Sequence, residues 1–172
     1  MNILFLVGSL NSPFFGVESL ILESLRFQNP SITIIGNFHC SFDLKSLSHV
    51  TLINRADPTN FHTLISSADV IVSHAGIGCT THLMRLGRQF LCVPRSPLWY
   101  EHIDDHQLQW SSLLLQWRII PSFSSSQTIS SFIDISLVDS SVWIESCNSF
   151  LDFYFDWDAQ GHCLDSIIAE ML

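Results

Sequence analysis

The sequence predicts an α/β domain, a Rossmann-like parallel sheet with helices on both faces. Short and almost wholly apolar runs recur along the chain, as expected for strands that are covered on both faces of a sheet. Segments with apolar residues at helical spacing separate these runs, and glycine or proline ends most of them. Regular alternation of strands and helices is typical of doubly wound parallel sheets.

Five apolar runs are predicted as strands, at residues 3–7, 32–35, 50–53, 69–73 and 90–93. Helices are predicted at about 16–27, from Pro58 through residue 65, at 79–86 and at 101–117. Proline suits a first helical turn and glycine the position after a last turn, which supports the start at Pro58 and a stop at Gly87.

The pattern weakens in the last third of the chain. Residues 118–120 are a candidate sixth strand, 129–137 a candidate helix, and 160–172 a final amphipathic helix. Residues 139–157 mix aromatic and acidic side chains without a clear period. We expect one domain over 1–172, with a core at 1–121 and a divergent extension at 122–172.

The charge balance excludes some classes of partner. The formal net charge is −9, and Lys45 is the only lysine. Binding to nucleic acid or to anionic lipid needs a basic face, which this chain does not have the residues to build. Hydrophobic residues make up 47% of the chain and charged residues 13%, which fits either a surface for a permanent partner or simply a large core.

Cysteine usage and the N-terminal segment predict a soluble, cytoplasmic protein. The five cysteines are scattered without paired spacing, as suits a reducing compartment, and they are Cys40, Cys79, Cys92, Cys147 and Cys163. Residues 1–10 are apolar but have no basic region before them, and Pro13 follows too early for a membrane span. We expect this run to be a buried first strand.

The most informative segment is residues 73–81, with the sequence SHAGIGCTT, which joins the fourth strand to a helix. Ligands of open α/β sheets bind at this carboxyl edge. Gly76 and Gly78 allow close approach of the backbone, and the free N–H groups of the helix start favour an anion such as a diphosphate. The alternative is that the glycines only permit a tight turn.

A second polar block follows the fifth strand, at residues 94–107. Asp104, His106 and Gln107 carry donors and acceptors that suit sugar hydroxyls, although acids in a first helical turn also serve as caps. His102 and His106 lie four residues apart, but the usual zinc motif would have Glu at position 103, and no metal site is expected. A nucleophilic Cys79 at a helix start lacks a histidine base.

Together the two blocks resemble the C-terminal domain of glycosyltransferase family 28. The resemblance is carried by residues 73–109, SHAGIGCTTHLMRLGRQFLCVPRSPLWYEHIDDHQLQ, and more loosely by 3–9 with Pro13-Phe14. Short single-domain members look most similar, namely bacterial exopolysaccharide glycosyltransferase catalytic subunits and the catalytic subunit of the two-chain UDP-GlcNAc transferase of dolichol-oligosaccharide synthesis.

The resemblance implies one half of a GT-B glycosyltransferase. Its implied reaction is transfer of a hexosyl group from a UDP-sugar to a lipid-linked acceptor, in polysaccharide or glycolipid synthesis. No cofactor or metal is implied, because oriented amides replace the cation. A membrane-anchored subunit would bind the acceptor and recruit this chain to the cytoplasmic face of the membrane.

The resemblance also implies site residues. The donor-binding set is Gly8, Ser9, His74, Gly76, Ile77, Gly78, Cys79, Thr80, Asp104, His106 and Gln107. Of these, positions 76–79 would hold the diphosphate, 8–9 would line the opposite side of the cleft, and 104, 106 and 107 would contact the sugar. Glu101 and His102 are the candidate catalytic residues. Cys79 replaces a threonine of the family pattern, and His82 stands where several relatives have a ribose-binding glutamate.

Two other functions stay open. A non-catalytic nucleotide-sugar-binding or scaffold subunit would keep the fold, and the changes at Cys79 and His82 favour it. A nucleotide-sugar epimerase is disfavoured by length, since it needs both GT-B halves in one chain.

Overall fold

A computed structural model of the 172-residue chain describes residues 1–120, 129–130 and 140–155. Among these residues, five strands form one sheet: β1 (Asn2–Gly8), β2 (Ser31–Gly36), β3 (Val50–Ile53), β4 (Val70–His74) and β5 (Leu91–Val93). The strand order is β3-β2-β1-β4-β5, and every neighbouring pair is parallel. This arrangement confirms the predicted Rossmann-like α/β fold.

The described residues include the helices α1 (Phe15–Ser24), α2 (Pro58–Ser67), α3 (Ile77–Arg85), α4 (His106–Gln116) and α5 (Ser140–Phe155) beside the sheet. Short 3-10 turns lie at Leu44–Ser46 and Pro97–Trp99. No helix within the described ranges is both long enough and apolar enough to cross a membrane.

The sheet separates two apolar clusters, and β1 contributes to both. Leu4 and Leu6 pack into the cluster beneath α2, α3, α4 and α5, whereas Ile3, Phe5 and Val7 pack into the cluster beneath α1. Successive side chains of a strand point to opposite faces, so a continuous apolar run is what a doubly covered strand needs. The chain turns to the other side of β1 after β3, which creates a crevice between the ends of β1 and β4.

The end of α3 confirms the predicted stop at Gly87. The N–H of Gly87 donates to the carbonyl of Met84, and the N–H of Arg88 donates to that of Leu83. Gly87 has a φ of 62°, so the pattern is a Schellman motif with glycine in the left-handed region.

The predicted sixth strand at 118–120 is wrong, because these residues close α4 instead. The N–H of Arg118 donates to Leu115 O and that of Ile119 to Leu114 O, with Arg118 at a φ of 58°. This is a second Schellman motif, with a non-glycine residue in the left-handed position. The buried side chains of Ile119 and Leu114 belong to the same cluster, as this motif favours.

The predicted start of α4 is also wrong by five residues. Residues 101–105 are not helical and α4 begins at His106, so His102 and His106 do not share one face of a helix. In the last third, α5 was not predicted from the sequence. Of the candidate helix at 129–137 only 129 and 130 are described, and the predicted helix at 160–172 and Cys163 lie outside the described residues.

Candidate functional site

A cavity of about 330 Å³ opens at the carboxyl edge of the sheet, beside α2 and α3. Its walls come from the ends of β1 to β4 and from the first turn of α3. The lining residues are Leu6, Gly8, Ser9, Ile35, Gly36, Asn37, Asn54, Arg55, Ala56, Phe61, His74, Gly78, Cys79 and His82. Five predicted donor-site positions therefore lie in one cavity: Gly8, Ser9, His74, Gly78 and Cys79.

The first turn of α3 presents backbone donors at this cavity. Gly76 is the N-cap, has an extended ψ of 129° and provides no side-chain cap. The N–H groups of a first helical turn have no acceptor within the helix, and the helix dipole makes this end electropositive. Ile77 follows Gly76, with its side chain 48% exposed.

His74 lies at the end of β4 and fills the space between two glycines. A Cβ at Gly8 would lie 2.9 Å from His74 Nε2, and a Cβ at Gly76 would lie 2.3 Å from the same atom. These two positions therefore require glycine because the imidazole occupies the side-chain volume of both. The structure thereby gives a local reason for two of the glycines that the sequence singled out.

The imidazole of His74 has a defined tautomer. Its Nδ1 lies 3.0 Å from the carbonyl oxygen of Leu6, which only accepts, so Nδ1 carries the proton and Nε2 is an acceptor. Burial lowers the pKa of His74 to about 4, so the ring is neutral at pH 7. His74 therefore offers the ligand a hydrogen-bond acceptor.

The charge of the cavity differs in sign from that of the chain. The lining residues that the structure describes include Arg55, His74 and His82 and contain no carboxylate, although the chain carries a net charge of −9. His82 stacks on Phe61 with ring centroids 5.7 Å apart. An acid-free cavity with backbone N–H groups at one wall favours an anionic ligand.

Thr80 and Thr81 lie in the next turn of α3, and their hydroxyls serve the helix. The Thr80 hydroxyl donates to Gly76 O at 2.9 Å and accepts from Trp110 Nε1 at 2.8 Å. The Thr81 hydroxyl donates to Ile77 O at 2.8 Å. Both threonines are buried, so in this conformation neither hydroxyl is offered to a ligand, although the resemblance implies a donor-binding role for Thr80.

The environment of Cys79 also argues against a nucleophilic role, which the sequence disfavoured for lack of a histidine base. Burial raises the pKa of its thiol to about 11. Its sulfur accepts a hydrogen bond from the Ser73 hydroxyl at 3.4 Å. Cys79 therefore contributes a neutral thiol to the cavity wall.

Glu101 is buried and holds two backbone segments together. One carboxylate oxygen accepts from the N–H of Phe15 at 2.7 Å, and the other accepts from that of Ser96 at 2.9 Å. Both oxygens are thus committed to the start of α1 and to the loop after β5. This arrangement argues against the catalytic role expected for Glu101 and indicates a positioning role.

Arg95 is a residue whose importance the sequence did not reveal. It is 1% exposed, and its guanidinium donates to Val7 O at 3.0 Å and to Asn37 O at 3.3 Å, which joins the ends of β1 and β2. It also donates to Ser12 Oγ at 2.5 Å and lies 4.3 Å above the ring of Phe14. Burial lowers its pKa to about 10, so it stays charged at pH 7.

Of the three polar residues predicted to contact a sugar, Gln107 contacts this arginine and the other two pair with or through a histidine. Gln107 is buried, and its Oε1 accepts from the N–H of Arg95 at 3.0 Å. Asp104 Oδ1 lies 2.9 Å from His102 Nδ1, and Asp104 Oδ2 lies 2.9 Å from His106 Nδ1. Hydrogen bonding from His106 is the main cause that lowers the pKa of Asp104. Asp104 thus bridges the two histidines, although they do not lie on one face of a helix.

No group of three or more histidine, cysteine, aspartate or glutamate side chains within the described residues is arranged to hold a metal ion. His102, Asp104 and His106 instead pair with one another. Asp104, His106 and Gln107 are not among the residues that line the cavity beside α3. The structure therefore brings the predicted site together in two parts, the cavity and this polar cluster.

Comparison with known proteins yields little likeness at the level of sequence. No family model and no curated protein matches the chain. Among solved structures, the crystal structure of Acinetobacter baumannii MurG is similar, with 17% sequence identity and a TM-score of 0.49. The likeness covers 99% of this chain and 49% of that one, so the chain spans about half the length of MurG. The fold assignment above depends on the strand order and not on this likeness.

Proposed function

We propose that this chain is the donor-binding half of a glycosyltransferase, which transfers a hexosyl group from a UDP-sugar to a lipid-linked acceptor in polysaccharide or glycolipid synthesis. The observation that carries the proposal is the cavity at the first turn of α3, whose described lining residues include no carboxylate. Its volume of about 330 Å³ falls within the usual range of small-molecule sites, about 300–1,000 Å³.

The diphosphate of the donor is assigned to the N–H groups from Ile77 to Cys79. These groups and the helix dipole stabilise negative charge. His74 Nε2, as an acceptor, suits a hydroxyl of the donor rather than a phosphate oxygen. Gly8 and Ser9 face this site from the end of β1.

The chemistry is a direct displacement at the anomeric carbon. An acceptor hydroxyl oxygen forms the new bond to that carbon, the bond from the carbon to the phosphate oxygen breaks, and UDP leaves with the bonding electron pair. The amides of α3 stabilise the charge that builds on the diphosphate. The hydroxyl proton needs a base, and His102 is the better candidate because Asp104 holds its Nδ1.

The remaining polar residues are assigned to the sugar. Asp104, His106 and Gln107 would contact sugar hydroxyls once a second half closes over the edge of the sheet. That half, an acceptor-binding and membrane-anchored subunit that brings the chain to the cytoplasmic face of the membrane, belongs to the proposal. Co-expression with a neighbouring single-span protein, followed by a transfer assay with UDP-sugars, tests this requirement.

The binding site itself is tested by calorimetry with UDP on the full chain and on Gly78→Asp. The new carboxylate would lie against the phosphates, and we expect at least about a hundredfold loss of affinity, since like-charge juxtaposition is strongly unfavourable. Gly78→Asn, which adds a side chain of the same size without the charge, is the matched control and should lose much less affinity. Unchanged UDP affinity in folded Gly78→Asp would rule out the site.

A non-catalytic nucleotide-sugar-binding subunit is the second candidate. The observation that favours it is the neutral thiol of Cys79 together with the committed carboxylate of Glu101. This candidate predicts UDP binding without transfer, even with the partner present. Transfer that is lost in His102→Gln while UDP affinity is kept would decide for the enzyme.

A further inference from the structure

One loop at the carboxyl edge of the sheet exposes a cluster of large apolar side chains. Leu98, Trp99, Tyr100 and Ile103 are 83%, 64%, 85% and 88% exposed, and we refer to these four residues as the apolar loop. Single exposed apolar residues are common on protein surfaces, but contiguous patches mark sites of protein or membrane contact.

The backbone that carries the apolar loop is held firmly at its base. Tyr100 has a φ of 56°, and its N–H donates to Pro97 O at 3.1 Å. The N–H of Glu101 donates to Ser96 O at 3.1 Å, and the carbonyl of Glu101 accepts from Arg95 Nη1 at 3.2 Å. The tight turn at Tyr100 therefore projects the apolar side chains from a fixed support.

The size of the patch distinguishes between a bilayer and a protein partner. Four side chains of this kind expose on the order of 500 Å², whereas a stable protein interface buries about 800 Å² on each partner. A projecting loop with Trp, Tyr, Leu and Ile has the composition found at the interface of membranes, where aromatic rings lie at the level of the headgroups.

The charge around the loop decides which bilayer it fits. Residues 96–117 contain no lysine or arginine, and Asp104 and Asp105 follow Ile103 directly. Anionic lipid attracts basic segments, and this loop has no basic residue. The carboxylates of Asp104 and Asp105 would instead be repelled by anionic headgroups. A bilayer with electrically neutral headgroups carries no such penalty.

We propose that the apolar loop inserts into the headgroup interface of a neutral bilayer and turns the carboxyl edge of the sheet toward the membrane. This inference goes beyond the proposed function and does not depend on nucleotide binding. It gives the chain a membrane contact of its own, in addition to any contact made by a partner.

Flotation of the full chain with phosphatidylcholine vesicles tests this inference. Trp99→Ala should lower the partition into vesicles at least about tenfold, since it removes one large apolar side chain that the bilayer would bury. Trp99→Phe should retain most of the binding. Phe153→Ala is the control, because Phe153 is 71% exposed on α5 and contacts Trp117, at the far end of α4 from the loop.

Absence of binding to phosphatidylcholine vesicles would overturn the inference, and so would binding that appears only with anionic lipid. An equal loss in Phe153→Ala would show that the loop is not the contact. Concentration-dependent dimerisation that is lost in Trp99→Ala would assign the surface to a second copy of the chain instead. UDP affinity should be the same in Trp99→Ala and in the unaltered chain, which separates this result from the test of the nucleotide site.

Discussion

Replacing Gly76 with alanine tests the packing at the floor of the cavity. The φ of Gly76 is −76°, which alanine adopts without strain, so any effect must come from the added methyl group. That methyl group would lie 2.3 Å from His74 Nε2, far inside any normal contact distance. The imidazole must move, and its hydrogen bond of 3.0 Å to Leu6 O must break or weaken.

The expected loss of stability has two parts. Overpacking a tightly filled site costs about 1–3 kcal/mol, and a lost buried hydrogen bond costs about 1 kcal/mol. Gly76→Ala should therefore lower the free energy of unfolding by roughly 2–4 kcal/mol, a large share of the 5–15 kcal/mol that is usual for a domain of about this size. The displaced ring should also weaken UDP binding.

Urea unfolding in a double-mutant cycle with His74→Ala isolates this contact. When the imidazole is absent, Gly76→Ala meets no obstruction, and its cost should fall to within about 0.5 kcal/mol of zero. Gly16→Ala is the matched control: its methyl group would lie 2.9 Å from Val93 Cγ1, so its cost should be the same in both backgrounds. If the effects of Gly76→Ala and His74→Ala simply add, the steric argument is wrong.

Three further variants test single roles. Glu101→Gln should lower the free energy of unfolding, measured by urea titration, by about 1–3 kcal/mol, because two charge-assisted hydrogen bonds weaken. Its control is Glu145→Gln on the exposed face of α5, which should change this free energy by less than about 0.5 kcal/mol. The pKa of His74 is lowered to about 4 in the fold, so the unfolded chain binds its proton first. The free energy of unfolding should have its full value above pH 6.5 and fall by roughly 3 kcal/mol toward pH 4. His74→Gln should remove this pH dependence when unfolding is measured across the same range. Thr80→Val should destabilise the fold by about 1–3 kcal/mol by leaving Trp110 Nε1 without its acceptor, yet leave UDP affinity unchanged in calorimetry. A drop in UDP affinity with Thr80→Val would show that the Thr80 hydroxyl contacts the ligand after all.

The elements that the sequence predicted well are those set by local chemistry. The five strands of the described residues coincide with predominantly apolar runs, and the observed bounds of β3 equal the predicted ones. Pro58 starts α2 and Gly87 ends α3, because proline and glycine act through their own backbone preferences. The turn that contains Gly76 and Gly78 likewise lies at the carboxyl edge of the sheet, because it joins the end of a parallel strand to the start of a helix.

The features that were not predicted from the sequence depend on contacts between residues that are far apart along the chain. The helical pattern of α4 extends back to Glu101, but the carboxylate of that residue bonds to Phe15, 86 positions earlier, and keeps the loop out of the helix. Arg95 is similar, since its acceptors at Val7 and Asn37 are visible only after the strands have assembled. A single arginine after an apolar strand gives no sign that it will be buried. The polar character of residues 94–107 was therefore predicted from the sequence, but the positions of their side chains in the fold were not.

The same interactions that close the sheet also shape the proposed ligand site. Gly36 has a φ of 114°, and a Cβ there would lie 2.1 Å from the carbonyl oxygen of Gly8. Gly8 in turn makes room for His74, whose ring bonds to Leu6 on the same strand. A substitution at any of these glycines therefore changes the strand ends and the cavity floor together. Loss of UDP binding at these positions must be judged against stability, which is why the proposed nucleotide site is tested at Gly78, on the helix that faces them.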